Sequence, residues 1–396
     1  MGSPVGIFGA PVSRYGPRGS RQSDRPRGRG ASRRLVPIGA LTAAALVFAA
    51  LVSAPSASAV TVNQTPLAGA RKNATQVPFA VSGTAGLSVD VATGNGLFTD
   101  QLLTLPGVNG DVPITLSYNS SVWGTSTPSA VTGGTGSGWG ITGFDQRLVD
   151  NGDGSFTYYG PGGTSGVFTP NGSGGFTAPW EFQGTLTFQS GTTYWLIDHA
   201  SQTKLIFTGG RLISQADRNG NATTFGYDGS GNPASITSSR GPALGRLLTV
   251  HVSSGRISSL SQTSGTLSRS IGFAYSTNGH LASVTDAVSG VTGFASAYGT
   301  DTGQLVTITN PKGKTTTLSF ATAGQVSQVV QFNPPIDGGA GAATTRFDYV
   351  SSTQTLTADP TTDQAQSVLL TAASGDDGDV TLGGDGFWVE MNPAGW

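Results

Sequence analysis

Apolar residues in the second half of the chain recur two and five positions after a regularly spaced glycine. The glycines stand at 210, 231, 255, 279, 303 and 324, in steps of 21 or 24. Two positions on come Leu212, Pro233, Ile257, Leu281, Leu305 and Val326, and five on come Gln215, Ile236, Leu260, Val284, Ile308 and Val329. Seven on, three units carry Asp217, Asp286 or Asn310. Ten on come Gly220, Gly241, Gly265 and Gly313, with the fourth unit slipping to Gly290. A fixed period of this size marks a repeat architecture.

The unit from Gly210 to Asp228 reads as two short strands. The first runs to Asp217-x-Asn219-Gly220, where Asn-Gly predicts a type I′ hairpin turn because both residues tolerate positive φ. The second ends in Phe225-x-Tyr227, alternate residues that share a face, and Asp228 to Gly231 turns into the next unit. Two strands of about six residues and two turns of four or five fill about 21 residues. The apolar pair is spaced by three, which alone would suit a helix. The segment between turns is too short and too rich in Ser and Thr for one, so a β-bulge that brings both side chains to one face is expected.

Composition supports strands throughout. The chain has 396 residues with 60 Gly, 11% charged residues and no Cys. Glu occurs only at Glu181 and Glu390, and strong helix formers are scarce beside Ser, Thr and Gly. Without Cys there are no disulfides and no thiolate nucleophiles or ligands, so stability must come from sheet packing.

The N-terminus reads as an export signal. Eight Arg precede an apolar run from Leu35 to Val52, and Ala57-Ser58-Ala59 is a small-x-small cleavage pattern that places the mature start at Val60. Arg33-Arg34 permits a twin-arginine route, although paired Arg also precede ordinary secretory segments. The rival reading is a retained anchor, since about 18 apolar residues can just span a bilayer. After cleavage, 13 Lys and Arg face 21 Asp and Glu, for a net charge of −8. The remaining basic residues are scattered singly, which gives nucleic acid no patch to bind.

These motifs resemble the YD repeat of the RHS family: Gly-x-Leu-x-x-x-x-Asp-x-x-Gly followed by Tyr-Asp, from Gly210 to Asp228, with Phe273-x-Tyr275, Leu318-x-Phe320 and Phe347-x-Tyr349 as second-strand aromatics of further copies. The segment before them is similar to the start of such proteins at Asp90-Val-Ala-Thr-Gly94, Leu105-Pro-Gly107, Pro113 to Ser120 and Gly138-Trp139-Gly140. The resemblance implies a ribbon of hairpins coiling into a hollow shell, which in bacterial toxins encloses a C-terminal toxin. The chain departs from that pattern at its end. The Pro-x-x-x-x-Asp-Pro-x-Gly core is missing, the repeats lose register after Asn333-Pro334-Pro335, and they fade after Asp359-Pro360. Six hairpins give a strip of roughly 1,150 Å². Enclosing a cargo with a radius of gyration near 13 Å needs about 5,000 Å². The expectation is a truncated piece of a longer scaffold.

The candidate chemistry is thin. His280 occupies the slot after the repeat glycine and reads as a solvent-facing variant of Arg211 and Arg256. His251 reads as a stand-in for the repeat tyrosine, and His199 lies near a turn. Gly138-Trp-Gly140-Ile-Thr-Gly143 lacks the strand–turn–helix context of a dinucleotide loop, and Gly313-Lys314-Thr315 lacks the first glycine of a phosphate loop. Asp150-Asn-Gly-Asp153-Gly154 reads as a hairpin turn rather than a calcium loop. Trp180, Tyr194 and Trp195 could stack on sugar, or be core and cross-strand pairs.

The reading is an all-β chain of consecutive antiparallel hairpins forming a curved repeat sheet. Its parts are a signal peptide (1–59), a linker (60–84), a β-rich N-terminal domain (85–150), a β-rich lead-in (151–209), the repeats (210–360) and an irregular tail (361–396). The expected role is a secreted extracellular scaffold, free or associated with the cell wall, with no catalytic, cofactor or metal site. Its expected partners are a C-terminal toxin encoded downstream and cell-wall or glycan surfaces, but neither nucleic acid nor, after cleavage, membrane. The alternative is a stand-alone extracellular module that binds carbohydrate or protein.

Overall fold

The computed structural model describes residues 75–108, 110–122, 134–179, 182–239, 246–264, 266–297, 303–322, 324–333, 341–351, 354–358, 368–370, 382–383 and 386–389. The expected signal segment, Trp180 and most of the tail lie outside them. Apart from 3₁₀ turns at Ser120–Val122 and Pro161–Gly163, every regular element among these residues is a strand.

Five strands form an antiparallel meander: β1 (Gln76–Ala80), β2 (Ala85–Asp90), β3 (Gly96–Leu105), β4 (Val112–Asn119) and β5 (Trp139–Ile141). The first of these lies within the stretch expected as linker. Next come β6 (Arg147–Asp150), β7 (Phe156–Tyr159), β8 (Ser165–Pro170) and β9 (Phe176–Thr177), paired in succession. Then β10 (Gly184–Ser190), β11 (Thr193–Asp198) and β12 (Lys204–Thr208) lead into the repeats.

The repeats are six hairpins of twelve strands. They are β13 (Arg211–Ala216) with β14 (Ala222–Tyr227), β15 (Pro233–Thr237) with β16 (Leu247–Ser253), and β17 (Arg256–Ser264) with β18 (Leu267–Tyr275). They continue as β19 (Leu281–Thr285) with β20 (Val291–Ser296), β21 (Leu305–Thr309) with β22 (Thr315–Thr322), and β23 (Gln325–Asn333) with β24 (Gly341–Ser351). Each strand pairs antiparallel with the next, and the ladder goes on into β25 (Gln354–Ala358) and β26 (Val368–Leu370). Two short strands, β27 (Leu382–Gly383) and β28 (Gly386–Val389), follow in the tail, where β28 runs parallel to β26.

The expected bulge is present in every repeat. Phe207 faces Leu212 while Ile206 faces Ser214, which leaves Ile213 extra. The same shift leaves Ala234, Ser258, Ala282, Val306 and Ser327 extra. One inserted residue turns a spacing of three into a shared face. Accordingly Ile257 with Leu260, Leu281 with Val284, Leu305 with Ile308 and Val326 with Val329 are all buried. The first repeat departs from this, because Gln215 is exposed beside buried Leu212.

The turn chemistry differs from expectation. Asn219-Gly220 is not type I′: Gly220 has positive φ and Asn219 does not. The Gly220 amide donates to the Asp217 carbonyl at 3.0 Å, and the Asp217 carboxylate accepts from the Asn219 and Asn221 amides at 2.8 and 2.9 Å. This is a type I turn closed by a left-handed glycine, a three-residue hairpin loop, and the acidic side chain at its first position selects it. Asp228, Asp286 and Asn310 cap their turns in the same way. Two-residue turns with positive φ at both positions occur instead at Gly209-Gly210 and Ser254-Gly255.

The apolar face of the repeats is covered by the leading meander. Phe294 meets Phe98 at 5.5 Å and Trp139 at 4.6 Å, and Phe79 meets Phe347 at 6.4 Å, all between ring centroids. Residues from Phe79 to Phe347 form one continuous core, so the leading meander and the repeats are two layers of the same structure.

Candidate functional site

The recurring polar groups converge on a seam along the glycine edge of the repeats. A bulge frees a backbone carbonyl and amide from the ladder, and buried ones need partners. Tyr227 donates its hydroxyl to the Leu212 carbonyl at 3.0 Å, Tyr275 to that of Ile257 at 2.7 Å, and Tyr349 to that of Val326 at 2.5 Å. Burial pushes all three phenols up, so each keeps the proton it donates.

In the first, third and fourth repeats the residue after the glycine closes the seam from above. The Arg211 guanidinium lies 5.5 Å from the centre of the Tyr227 ring, and Arg256 lies 5.7 Å from that of Tyr275. Both arginines then reach the next repeat, where a Cβ on Gly231 or Gly279 would collide with them. His280 fills the same space against Gly303 and is half-buried, so it packs between repeats rather than facing solvent. At Gly231, Gly279 and Gly303 the glycine is thus required twice, for its positive φ and for its missing side chain.

The leading segment supplies the other half of the seam. The Ile257 amide donates to the Gly134 carbonyl at 3.0 Å, Leu305 to the Tyr118 hydroxyl at 2.9 Å, and Val326 to the Gly94 carbonyl at 2.8 Å. Leu148 donates to the Gly210 carbonyl at 2.9 Å.

At the first repeat this seam contains a buried charged cluster that the sequence reading missed. Asp145 is buried, and desolvation pushes its carboxyl up to about 7 despite the nearby Gly162 amide and Arg147. Its Oδ1 has no hydrogen-bond partner, and neither does Nε of Arg147. Desolvation also lowers the pKa of Arg147, whose Nη1 donates to the Gln146 carbonyl at 2.9 Å and the Tyr227 hydroxyl at 3.3 Å. Tyr158 donates to Oε1 of Gln146 at 2.9 Å. The sequence signal was available in Phe144-Asp-Gln-Arg147, where two charges follow an aromatic at the end of the Thr142–Asp145 turn.

The residues singled out from sequence are dispersed. His251 does not take the tyrosine slot. The residue opposite Ile257 is Val252, and His251 points to the other face, where its Nε2 lies 2.9 Å from the Ser261 hydroxyl. His199 pairs with the Thr185 hydroxyl at 2.7 Å on the surface. Asp150 to Gly154 form the β6–β7 turn, in which Asp150 accepts from Gly152 and Asp153 from Ser155. Gly138 and Gly143 lie against the rings of Tyr118 and Phe225. Gly313 and Lys314 belong to the turn capped by Asn310. Tyr194 packs on Phe156 at 4.6 Å, and the Lys204 ammonium lies 4.4 Å over one face of the Trp195 ring. Among the described residues no three His, Asp or Glu gather as a metal site.

Two family descriptions match the chain: RHS Repeat over residues 209–243, and Domain of unknown function (DUF6531) over residues 86–168. No curated protein sequence matches. Among solved structures, TcdB2-TccC3 without its hypervariable C-terminal region is 12% identical, with a TM-score of 0.26, and the match covers 72% of this chain and 16% of that one. A porin-like protein from Bacteroides uniformis is 12% identical over 64% of this chain and 94% of its own, with a TM-score of 0.24. The Photorhabdus luminescens Tc holotoxin pore is 11% identical over 72% and 20%, with a TM-score of 0.17.

Proposed function

Because this chain is an RHS/YD-repeat protein, we propose that it is a secreted structural scaffold, part of a shell that carries a C-terminal toxin or a surface-exposed module, and that it catalyses nothing itself. The observation that supports this reading is where the recurring groups go. Asp217, Asp228, Asp286 and Asn310 hold turns, the tyrosines satisfy bulge carbonyls, and the arginines and His280 pack on the next glycine. The chemistry that repeats along the chain is taken up by building the sheet.

The leading meander already occupies the apolar face of the six repeats. A cargo would therefore meet the opposite face or further strands. Export rests on the sequence from Leu35 to Ala59, and among the described residues no helix is long and apolar enough to cross a membrane.

The test is expression of the full chain in a secreting bacterial host. Mass spectrometry should find a new N-terminus at Val60, and the secreted protein should turn over peptide and polysaccharide substrates no faster than buffer. Retention of residues 35–52 in the membrane fraction would overturn export. Turnover abolished by a single substitution such as Asp145→Asn would overturn the scaffold reading.

A further inference from the structure

The leading segment meets the two ends of the repeat array in the same way. At the first repeat, Arg147 forms a β-bridge with Arg211, the residue after the repeat glycine, and the Leu148 amide donates to the Gly210 carbonyl. At the sixth repeat, Asn95 bridges Gln325, again the residue after the glycine, and the Val326 amide donates to the Gly94 carbonyl. Between them, Tyr118 and Gly134 reach the fifth and third repeats. Pro106 and Val108, at the β3–β4 turn, reach Ser238 and Ser239 of the second repeat, so the described parts of the leading segment touch the array from its last unit to its first.

At the sixth repeat, Gly94 also stands in for a repeat glycine. In three of the five earlier units the side chain after one glycine fills the space that a Cβ on the next glycine would need, Arg211 at Gly231, Arg256 at Gly279 and His280 at Gly303, whereas Gly255 faces open space and Gly324 meets the Ser120 backbone. Gln325, the corresponding side chain of the sixth unit, fills that space at Gly94 instead, together with the Tyr349 hydroxyl. Gly94 has φ +71°, against +73° to +82° for the six repeat glycines. Counting on from Tyr349, which faces Thr355 as Tyr227 faces Pro233, the seventh glycine position falls on Thr353. The glycine that the sixth unit needs comes from more than 200 residues upstream.

We propose that the paired strands β3, β4 and β5, with the Arg147–Leu148 bridge, act as a gauge that holds six repeats between two end bridges, with Gly94 taking the place of a seventh repeat glycine. A plain repeat array depends on nearest-neighbour contacts and accepts the loss of a unit with a proportional fall in stability. A gauged array does not, because a packed sheet of fixed dimensions cannot reach both ends of a shorter one. The inference goes beyond the scaffold reading and stands whether or not the chain carries a cargo.

The experiment deletes residues 280–303 from the full chain, which joins Gly279 to Gln304 and keeps the repeat pattern. Hydrogen exchange is then followed at the Leu148 and Val326 amides. At least one should exchange tenfold or more faster than in the parent. If both stay protected, the array tolerates five units and the gauge is wrong. Should the deletion fail to fold, Gly94→Ala and Gly313→Ala decide the matter. Both replace a left-handed glycine, at +71° and +74°, but only Gly94 has neighbours where the methyl would go. Gly94→Ala should speed exchange at Val326 at least tenfold, and Gly313→Ala should leave it unchanged. Equal effects of the two would overturn the proposal.

Discussion

The hydroxyl of Tyr275 donates to the carbonyl oxygen of Ile257 at 2.7 Å, across the bulge that repeats along the sheet. The same bond joins Tyr227 to Leu212 and Tyr349 to Val326, while the other three repeats fill the tyrosine slot with Val252, Ser296 and Phe320. Tyr275→Phe keeps the ring and removes the donor, leaving a buried carbonyl unsatisfied. The expected cost is about 1–2 kcal/mol, read as a lower denaturation midpoint at unchanged m-value. The substituted ring would sit as Phe320 does, so an unchanged midpoint would mean that water replaces the hydroxyl.

The fourth repeat carries a strained turn. Ser289 has φ +68° at the position ten after the glycine, where the first and fifth repeats have Gly220 and Gly313. The left-handed region costs an ordinary residue roughly 1–2 kcal/mol. Ser289→Gly relieves that strain and gives back part of it as unfolded-chain entropy. A net gain of about 0.5–1 kcal/mol is expected in thermal unfolding. A loss would show that the Ser289 side chain supports the turn.

Much of this fold was legible because its determinants are local. A glycine at fixed period, an apolar pair three apart and an aromatic two before the turn each act within one hairpin, and together they predicted the six hairpins and the bulge. The turn type was misread because Asn219-Gly220 was weighed alone, whereas the carboxylate of Asp217 selects the turn. His251 was misplaced by one residue because Ser254-Gly255 is a two-residue turn where Gly231 and Gly279 close three-residue loops, and a one-residue slip exchanges faces. The seam lay beyond any local pattern. Nothing near Gly94 announces Gln325, and the buried state of Asp145 exists only once two layers have met.

Asp145 should make the protein more stable in mild acid. Its carboxyl sits at about 7 in the folded chain, against 3.8 when exposed, so between those values the folded state binds the extra proton. Stability therefore falls as pH rises through this window, by an amount on the order of 3–4 kcal/mol for a fully buried group. The turn carboxylates act oppositely but lower down: Asp228 is held below its usual range by hydrogen bonds from Asn232 and loses its contribution only as pH falls through that range. Asp145→Asn should flatten the profile between pH 4 and 7 in chemical denaturation. A parent protein equally stable at pH 5 and pH 7 would mean that solvent reaches Asp145.

Phe294 tests whether the two layers are one cooperative unit. Its ring lies on the repeats' buried face and touches Phe98 and Trp139 of the leading meander, at 5.5 and 4.6 Å. If the repeats were an open strip beside a separate N-terminal domain, that face would meet solvent and Phe294→Ala would be mild. In a shared core, truncation removes transfer energy and leaves a cavity that two packed sheets cannot close, at about 3–5 kcal/mol. Because Phe294 and Trp139 touch, Phe294→Ala and Trp139→Ala should be non-additive in a double-mutant cycle, by about 0.5–1.5 kcal/mol for the aromatic pair. Unfolding of the parent should then be a single transition by both tryptophan fluorescence and far-ultraviolet dichroism. Two separated transitions, with additive mutants, would mean that the meander and the repeats fold independently and that their contact is only a docking of finished domains.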